Sequence, residues 1–422
     1  MAKAKKRKTK VKKSKRAAAR RPKAKAKRPV KKAVRKTKAV KFSARKPAAK
    51  KAAAKTSAPK TSAPSKPSTY KILLMGASYG SLLASKLLFG GHSIHLVCLP
   101  AEADLINAEG FKVKLPVRGR SEPVLLESRK LPGKVTAGPA TGVNPSDYDL
   151  IGLCMQEPQY RSPGVRELLD AVGKSRVPCM SIMNMPPLPY IKRIPGLDYL
   201  ALEAAYTDPR VWDSVDPKKI TLNSPDPQAI RPPDGKANEL LVTLPTNFKC
   251  ARFDSDRDTA IVRRLEKDVE AARFDAPEGK IELPVKLRVY ESIFVPLAKW
   301  AMLLAGNYRC ITPDGMRTAQ EAVHSDIETS RSVYNFVNDL CVQLGASLND
   351  MVPFEKYAAA AQSLSRPASA ARALQNGAPN IERADKLVQL IARQKGLSHP
   401  VIDATVALVD ARLDANRKKA AA

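Results

Sequence analysis

The stretch KILLMGASYGSLLASKLL, Lys71 to Leu88, decides how the rest of the chain is read. An apolar run stops at Gly76 and a helical pattern begins almost at once, so a strand turns directly into a helix. Gly76-Ala77-Ser78-Tyr79-Gly80 satisfies G-x-S-x-G, the elbow that exposes a nucleophilic serine in α/β-hydrolases. The same residues also make a shortened glycine-rich turn, which brings a helix N-terminus to a dinucleotide pyrophosphate. Position separates the two. A hydrolase elbow follows several strands and an oxyanion-hole loop, with its acid and histidine further on. Here the motif closes the first strand of the folded body. Downstream, His324 and His399 sit in no pattern that marks a base and read as surface or capping residues. The dinucleotide turn is therefore preferred, built from Gly76, Ala77, Ser78, Tyr79, Gly80 and Ser81. Ser78 takes the place of the usual second glycine, and Gly80 matches the third with one residue deleted. The Ser78 and Ser81 hydroxyls are expected to add donors. A serine hydrolase using Ser78 stays open as the alternative.

Charge divides the chain unevenly. Residues 1–68 contain 29 Lys or Arg and no Asp or Glu, whereas the remaining 354 residues hold 45 basic and 40 acidic side chains. A segment of Lys, Ala, Pro and Ser buries too little apolar surface to offset its ordering entropy, so a disordered tail is expected there. Its composition resembles linker-histone tails, and each lysine that neutralises a phosphate releases a counterion. Non-specific, salt-sensitive binding to nucleic acid through residues 1–68 is the partner it implies. No secretory signal is read ahead of the tail, and no apolar run of about 18 residues follows it, so no membrane is expected. The six cysteines form no C-x-x-C pair, and only His92 and His95 lie close among four histidines. That usage fits reduced core cysteines in a cytoplasmic, possibly nucleoid-associated protein, with no metal site.

Beyond Tyr70, strand-like runs alternate with helical ones: YKILLM, SIHLVCL, YDLIGLCM and VPCMSIMN are strands, and VRELLDAVG is a helix. FKVKL and EPVLLES add short strands. After residue 254 the pattern is almost wholly helical, over 256–272, 286–306, 314–344, 352–375, 381–395 and 400–416. The fold class is α/β: a Rossmann-type doubly wound sheet followed by an all-helical C-terminal domain. The expected divisions are a tail over 1–68, a dinucleotide-binding domain over 69–253 and a helical domain over 254–422.

With these segments in place, the chain resembles the 2-dehydropantoate 2-reductase (ketopantoate reductase) family. The resemblance rests on KILLMGASYGSLLASKLLFGGHSIHLVC followed by LINAEGFKV, on YDLIGLCMQEPQY and MSIMNM, on PLAKWAMLLAGN, and on IERADKLVQLIARQKGLSHPVIDATVALV. It implies reduction of a 2-keto acid or related carbonyl by hydride from NADPH, with NADP or NAD as cofactor, and a homodimer formed through the helical half. Residue by residue, it implies Lys299 as the catalytic proton donor, its pKa lowered by desolvation in a cleft. Asn184 and Asn307 match substrate-binding asparagines, Ser369 matches a serine, and Glu382 is a shifted substitute for the substrate-binding glutamate, which aligns with Asn380. The chain departs from the family at Gln156, where a lysine is usual, and at Leu303, where an asparagine is usual. At Leu99 an arginine for a 2′-phosphate is missing. These departures imply an alternative in which catalysis is impaired and the protein is a dinucleotide-binding sensor or scaffold tethered to nucleic acid.

Overall fold

Strand β1, Lys71–Met75, is buried over its last four residues and lies at the middle of the principal sheet. The structure is a computed structural model that describes residues 69–421 apart from 233; the tail reading for residues 1–68 lies outside the described residues. Successive side chains of a strand point to opposite faces, and β1 feeds two cores. Ile72 and Leu74 pack on one side of the sheet, Leu73 and Met75 on the other. This two-faced burial is why the strand reads as a continuous apolar run.

In chain order there follow helix α1 (Ala77–Leu87), β2 (Ser93–Val97) and α2 (Pro100–Glu109), which Pro100 opens and Gly110 closes. Next come β3 (Lys112–Leu115), β4 (Val124–Glu127), β5 (Lys134–Gly138), β6 (Leu150–Leu153), α3 (Val165–Ser175), β7 (Cys179–Ile182), α4 (Leu188–Ile191) and β8 (Ile220–Ser224). Strands β9 (Gln228–Ile230), β10 (Glu239–Leu244) and β11 (Phe248–Ala251) precede α5 (Asp256–Ala271). The hairpin β12 (Arg273–Ala276) and β13 (Gly279–Glu282) then leads to β14 (Leu287–Tyr290). The principal sheet runs β5-β2-β1-β6-β7-β8-β11-β14. Its first six strands are parallel and stand in the doubly wound order 3-2-1-4-5-6 of dinucleotide-binding sheets. Strand β11 reverses direction against β8, and β14 runs parallel to β11.

Two features differ from expectation. The strands FKVKL and EPVLLES form β3 and β4 but leave the principal sheet, pairing with β10 and β9 in a separate four-stranded sheet. That sheet and α5 enclose α1, so Gly80 to Leu87 are all buried. The expected division at 253/254 falls inside the sheet layer: α5 packs on β14, and β14 completes the sheet edge where a helix over 286–306 was expected.

The remainder is helical: α6 (Lys299–Met302), α7 (Ala319–His324), α8 (Ile327–Gln343), α9 (Phe354–Ala361), α10 (Ser369–Gln375), α11 (Ala384–Gln394) and α12 (Pro400–Ala421). The expected helix over 314–344 is split because Asp326 caps α8, its side chain accepting from Thr329 N. The one over 352–375 breaks at the segment 362–368, which holds Pro367. The expected stripe Ile381, Ala384, Leu387, Val388 and Ile391 is buried, in one core with Leu73, Leu153 and Trp300.

Lys86 is the unusual residue of α1. It is 1% exposed, and its Nζ donates to Pro284 O at 2.7 Å without a carboxylate partner among the described residues. Burial, with Lys286 adding to it, pushes the amine down to about 7 from 10.5. The unfolded chain keeps this lysine protonated up to its ordinary pKa. Folding stability is therefore lost as pH falls from 10.5 toward 7, and the loss is complete below 7. Lys86→Met is expected to stabilise the protein by about 3 kcal/mol at pH 7, after an offset of about 1 kcal/mol for the orphaned Pro284 carbonyl. The gain should shrink toward zero near the ordinary lysine pKa, as read by chemical denaturation at pH 7 and 10.

Candidate active site

Between β1 and β6 the strand order changes direction, and ligands of open α/β sheets bind at the carboxyl ends of strands flanking such a point. The chain is closest there at Gly76. Its φ is +111°, and a Cβ would lie 2.9 Å from Met155 Cγ and 3.0 Å from the Cys154 carbonyl. Gly76 N donates to Val97 O and Cys154 N donates to Met75 O, each at 2.8 Å, so the turn is tied to both neighbouring strands. Only glycine fits this backbone. Gly80 takes the packing role of the third glycine, since a Cβ would meet Leu96 at 3.3 Å and Leu74 at 3.6 Å.

A cavity of about 520 Å³ opens beside this turn. Ser78 and Tyr79 border it, and α1 begins with no acidic side chain in its first turn and no side-chain cap. Its leading N–H groups thus have no partner within the helix, and together with the Ser78 hydroxyl they make a donor set suited to a phosphate. The residues present fit a dinucleotide. Ala77 is buried as the first residue of α1. Ser81 corrects the expectation of a second hydroxyl donor: it is 5% exposed, packed within the helix layer, and does not border the cavity.

The ends of β6 and β7 bring Gln156 and Asn184 to the cavity, and the helical half brings Asn307, Ser369 and Glu382. At the inner end, Gln156, Asn184, Leu303, Asn307, Ser369 and Glu382 meet. Asn307 arrives through an irregularity: Leu303–Asn307 is a π-helical turn in which Tyr308 N donates to Leu303 O. At its start Met302 O also accepts from Tyr357 Oη at 3.1 Å. Such insertions change which face later residues present. Lys299 and Asn307 accordingly part company.

Lys299 is placed otherwise than expected. Its Nζ lies 3.4 Å from Asp226 Oδ1, and it does not border the cavity. Asp226 also takes Lys249 Nζ at 3.0 Å and the Ser224 hydroxyl at 2.6 Å. Burial opposes ionisation of Asp226, but the two lysines and Ser224 outweigh it and hold its carboxyl below the ordinary range. Nothing in the sequence marked Asp226, an aspartate between Pro225 and Pro227.

Glu382 is the carboxyl that borders the cavity. It is 7% exposed; its Oε2 accepts from Asn184 Nδ2 at 3.3 Å and its Oε1 from Glu157 N at 3.4 Å. Burial pushes its carboxyl up to about 7, against these bonds. The backbone around it is anchored, because Tyr308 Oη donates to Glu382 O and accepts from Ala384 N, while Arg383 grips Asp385 with two bonds of 2.9 Å. Asn380, the aligned position for the family's glutamate, stays outside this cavity and accepts from Arg417. Tyr79 Oη donates to Pro227 O at 3.1 Å, and burial, then Glu382 and Asp226, push its phenol up.

For the hydrolase alternative, no histidine among the described residues borders the cavity with Ser78. His92, His95, His324 and His399 bond to Asp268, Thr136, Ala358 and Ser332. At the end of β2, Leu99 is 75% exposed, and Glu102 in the next turn pairs with Arg231. Among the described residues, no group of three metal-ligating side chains occurs, and no helix is long and apolar enough to cross a membrane.

No family model matches the sequence, and no curated protein shows significant sequence similarity to it. Solved structures do match. A 2-dehydropantoate 2-reductase from Methylococcus capsulatus has a TM-score of 0.55 at 13% identity, over 82% of this chain and 97% of its own. A ketopantoate reductase from Ralstonia eutropha JMP134 has 0.53 at 14% identity, and D-mandelate dehydrogenase in a ternary structure with NADH and anilino(oxo)acetate has 0.54 at 13%. Each of those two comparisons covers 82% of this chain and 99% of the other. The chain, over its sheet and its helical half together, has the fold of these ketopantoate reductases and of D-mandelate dehydrogenase.

Proposed function

We propose that this protein is an NAD(P)-dependent oxidoreductase that reduces a 2-keto acid or a related carbonyl compound. One observation carries the reading: Asn184, Asn307, Ser369 and Glu382 converge on one cavity with the Gly76 turn, at the switch point of the sheet. The neighbours in fold include reductases and a dehydrogenase, one of them holding NADH. When bound in its reduced form, NADPH or NADH would supply the hydride and be left as NADP or NAD. Gly76, Ala77, Ser78 and Tyr79 hold its pyrophosphate on the N-terminus of α1, and Gln156 and Asn184 flank its nicotinamide end. Asn307 and Ser369 orient the substrate.

The proton for the forming alkoxide comes from Glu382. A general acid works best with a pKa near the operating pH, and this buried carboxyl, at about 7, satisfies that inside the cavity. Lys299 neutralises Asp226 beneath the loop at 225–228 and acts as a positioning residue. Asn184 donates to Glu382 and so fixes which way the carboxyl faces.

Residues 1–68 support a second, compatible reading. Twenty-nine positive charges without one carboxylate make a polycation, and the reductase body is tethered by it to nucleic acid.

Three outcomes are expected. Millimolar NADPH or NADH should raise the thermal midpoint by a few degrees, since a hundredfold excess over Kd contributes about 2.7 kcal/mol; no shift with either cofactor would sink the oxidoreductase reading. The reduction rate should fall as pH rises through about 7, where Glu382 loses its proton. Glu382→Gln should flatten that profile and cost roughly 100-fold or more in kcat, whereas an unchanged profile would remove Glu382 from the chemistry. Deleting residues 1–68 should abolish a salt-sensitive DNA mobility shift while leaving the thermal midpoint unchanged; equal DNA binding without them refutes the tether.

A further inference from the structure

The charge lining the cavity is unbalanced. Its charged side chains are Glu382, Arg366 and Arg372, and burial favours the neutral acid of Glu382. Lys299 does not border the cavity and is paired with Asp226. Two guanidiniums therefore face the cavity with no full negative charge opposite them.

Within the helical half, these two arginines stand apart from the others. Beyond residue 295 the chain has nine arginines, and seven of them, Arg309, Arg317, Arg331, Arg383, Arg393, Arg412 and Arg417, hold side-chain hydrogen bonds. Among the described residues, the side chains of Arg366 and Arg372 have no hydrogen bond and no ion pair, and both border the cavity. The backbone beneath them is fixed. Arg366 O accepts from Ala319 N at 3.1 Å and Leu364 O from Gln320 N at 3.0 Å, which pins the segment 362–368 to the start of α7. On α10, Ala371 and Leu374 are buried, and Arg372 follows Ser369 by three positions on the same face. The two arginines thus flank Ser369, a residue assigned above to the substrate.

We propose that Arg366 and Arg372 make a second anion subsite, so that the substrate is a dianionic 2-keto acid carrying a carboxylate or phosphate group besides its 2-keto carboxylate. The fork of an arginine matches a carboxylate or phosphate bidentately, and one guanidinium satisfies one such group. The 2-keto carboxylate takes one; the other is left for a second anion. The chain's pyrophosphate donors, on α1 at Ser78, are contributed by a different wall of the cavity. This inference rests on the reductase reading and deepens it.

Calorimetric titration of the full-length protein, saturated with NADPH or NADH, tests it with 2-oxoglutarate, phosphonopyruvate and 2-oxovalerate as probes. The two dianions should bind severalfold tighter than 2-oxovalerate, because the second anion adds charge-assisted hydrogen bonds to an arginine that the monoanion leaves to water. In Arg366→Gln/Arg372→Gln the ratio should collapse toward one, and in Arg366→Glu it should invert. An equal or reversed preference in the wild type overturns the inference, as does a ratio that survives the double substitution. If the double variant loses dinucleotide affinity with the keto-acid ratio intact, the arginines serve the cofactor and the inference fails. A protein that binds no keto acid of either kind also overturns it. Cofactor titration alone reports separately on the reductase reading.

Discussion

The contact of the Gly76 backbone with Cys154 and Met155 is the constraint on which the rest of this structure depends. It is the point where β1 and β6 come together at their carboxyl ends, with no room for a single added carbon. Because the turn is that tight, α1 starts one residue later, buried on nearly every side, and its N-terminus faces the switch point. Strand β1 carries the same constraint inward. Its alternate side chains belong to two cores, one shared with α1, α5 and the small sheet, the other with the whole helical half. Displacing Gly76 would disturb both at once.

The cavity inherits its chemistry from burial more than from any single charged residue. Glu382 is kept close to neutrality because the sheet and the helical half share a core around it, leaving two long hydrogen bonds to offset desolvation. Asp226, in the segment between Pro225 and Gln228 that borders the cavity, shows the opposite case. Two lysines and a hydroxyl more than compensate its burial, so it stays ionised and captures Lys299. Two buried carboxyls are thereby shifted in opposite directions, one by desolvation and the other by its cationic partners. The π-helical turn at Leu303–Asn307 adds the geometric part: Asn307 borders the cavity while Lys299 stays with Asp226.

Much of the fold was legible because its signals are local. The buried run of β1, the immediate helix after Gly76, and the stripe from Ile381 to Ile391 each satisfy a period within one element. Strands β5, β8 and β14 were missed because KVTAG, ITLNS and LRVY are short, and polar or small residues break their apolar character. Helices drawn too long, over 314–344 and 352–375, were interrupted by a capping aspartate and a proline whose effect depends on where the next helix must pack. Of the site, Asn184, Asn307, Ser369 and Glu382 were assigned by resemblance, and they meet in space. Lys299 was also assigned that way and was drawn off by Asp226, a partner 73 positions away in sequence that no pattern announced.

Sequence alone determined the opening strand, turn and helix from β1 to β2, the glycine that the first turn requires, and the separation of a polybasic segment from a near-neutral body. These follow from composition and from periodicities that a strand or helix imposes on its own residues. Tertiary structure decided which strands share a sheet, whether Glu382 or Asn380 reaches the cavity, which ammonium is neutralised, and which arginines of the helical half border the cavity without a partner. Each of those is set by desolvation and by partners far apart in the chain, and neither exists until the sheet and the helical half close on a common core.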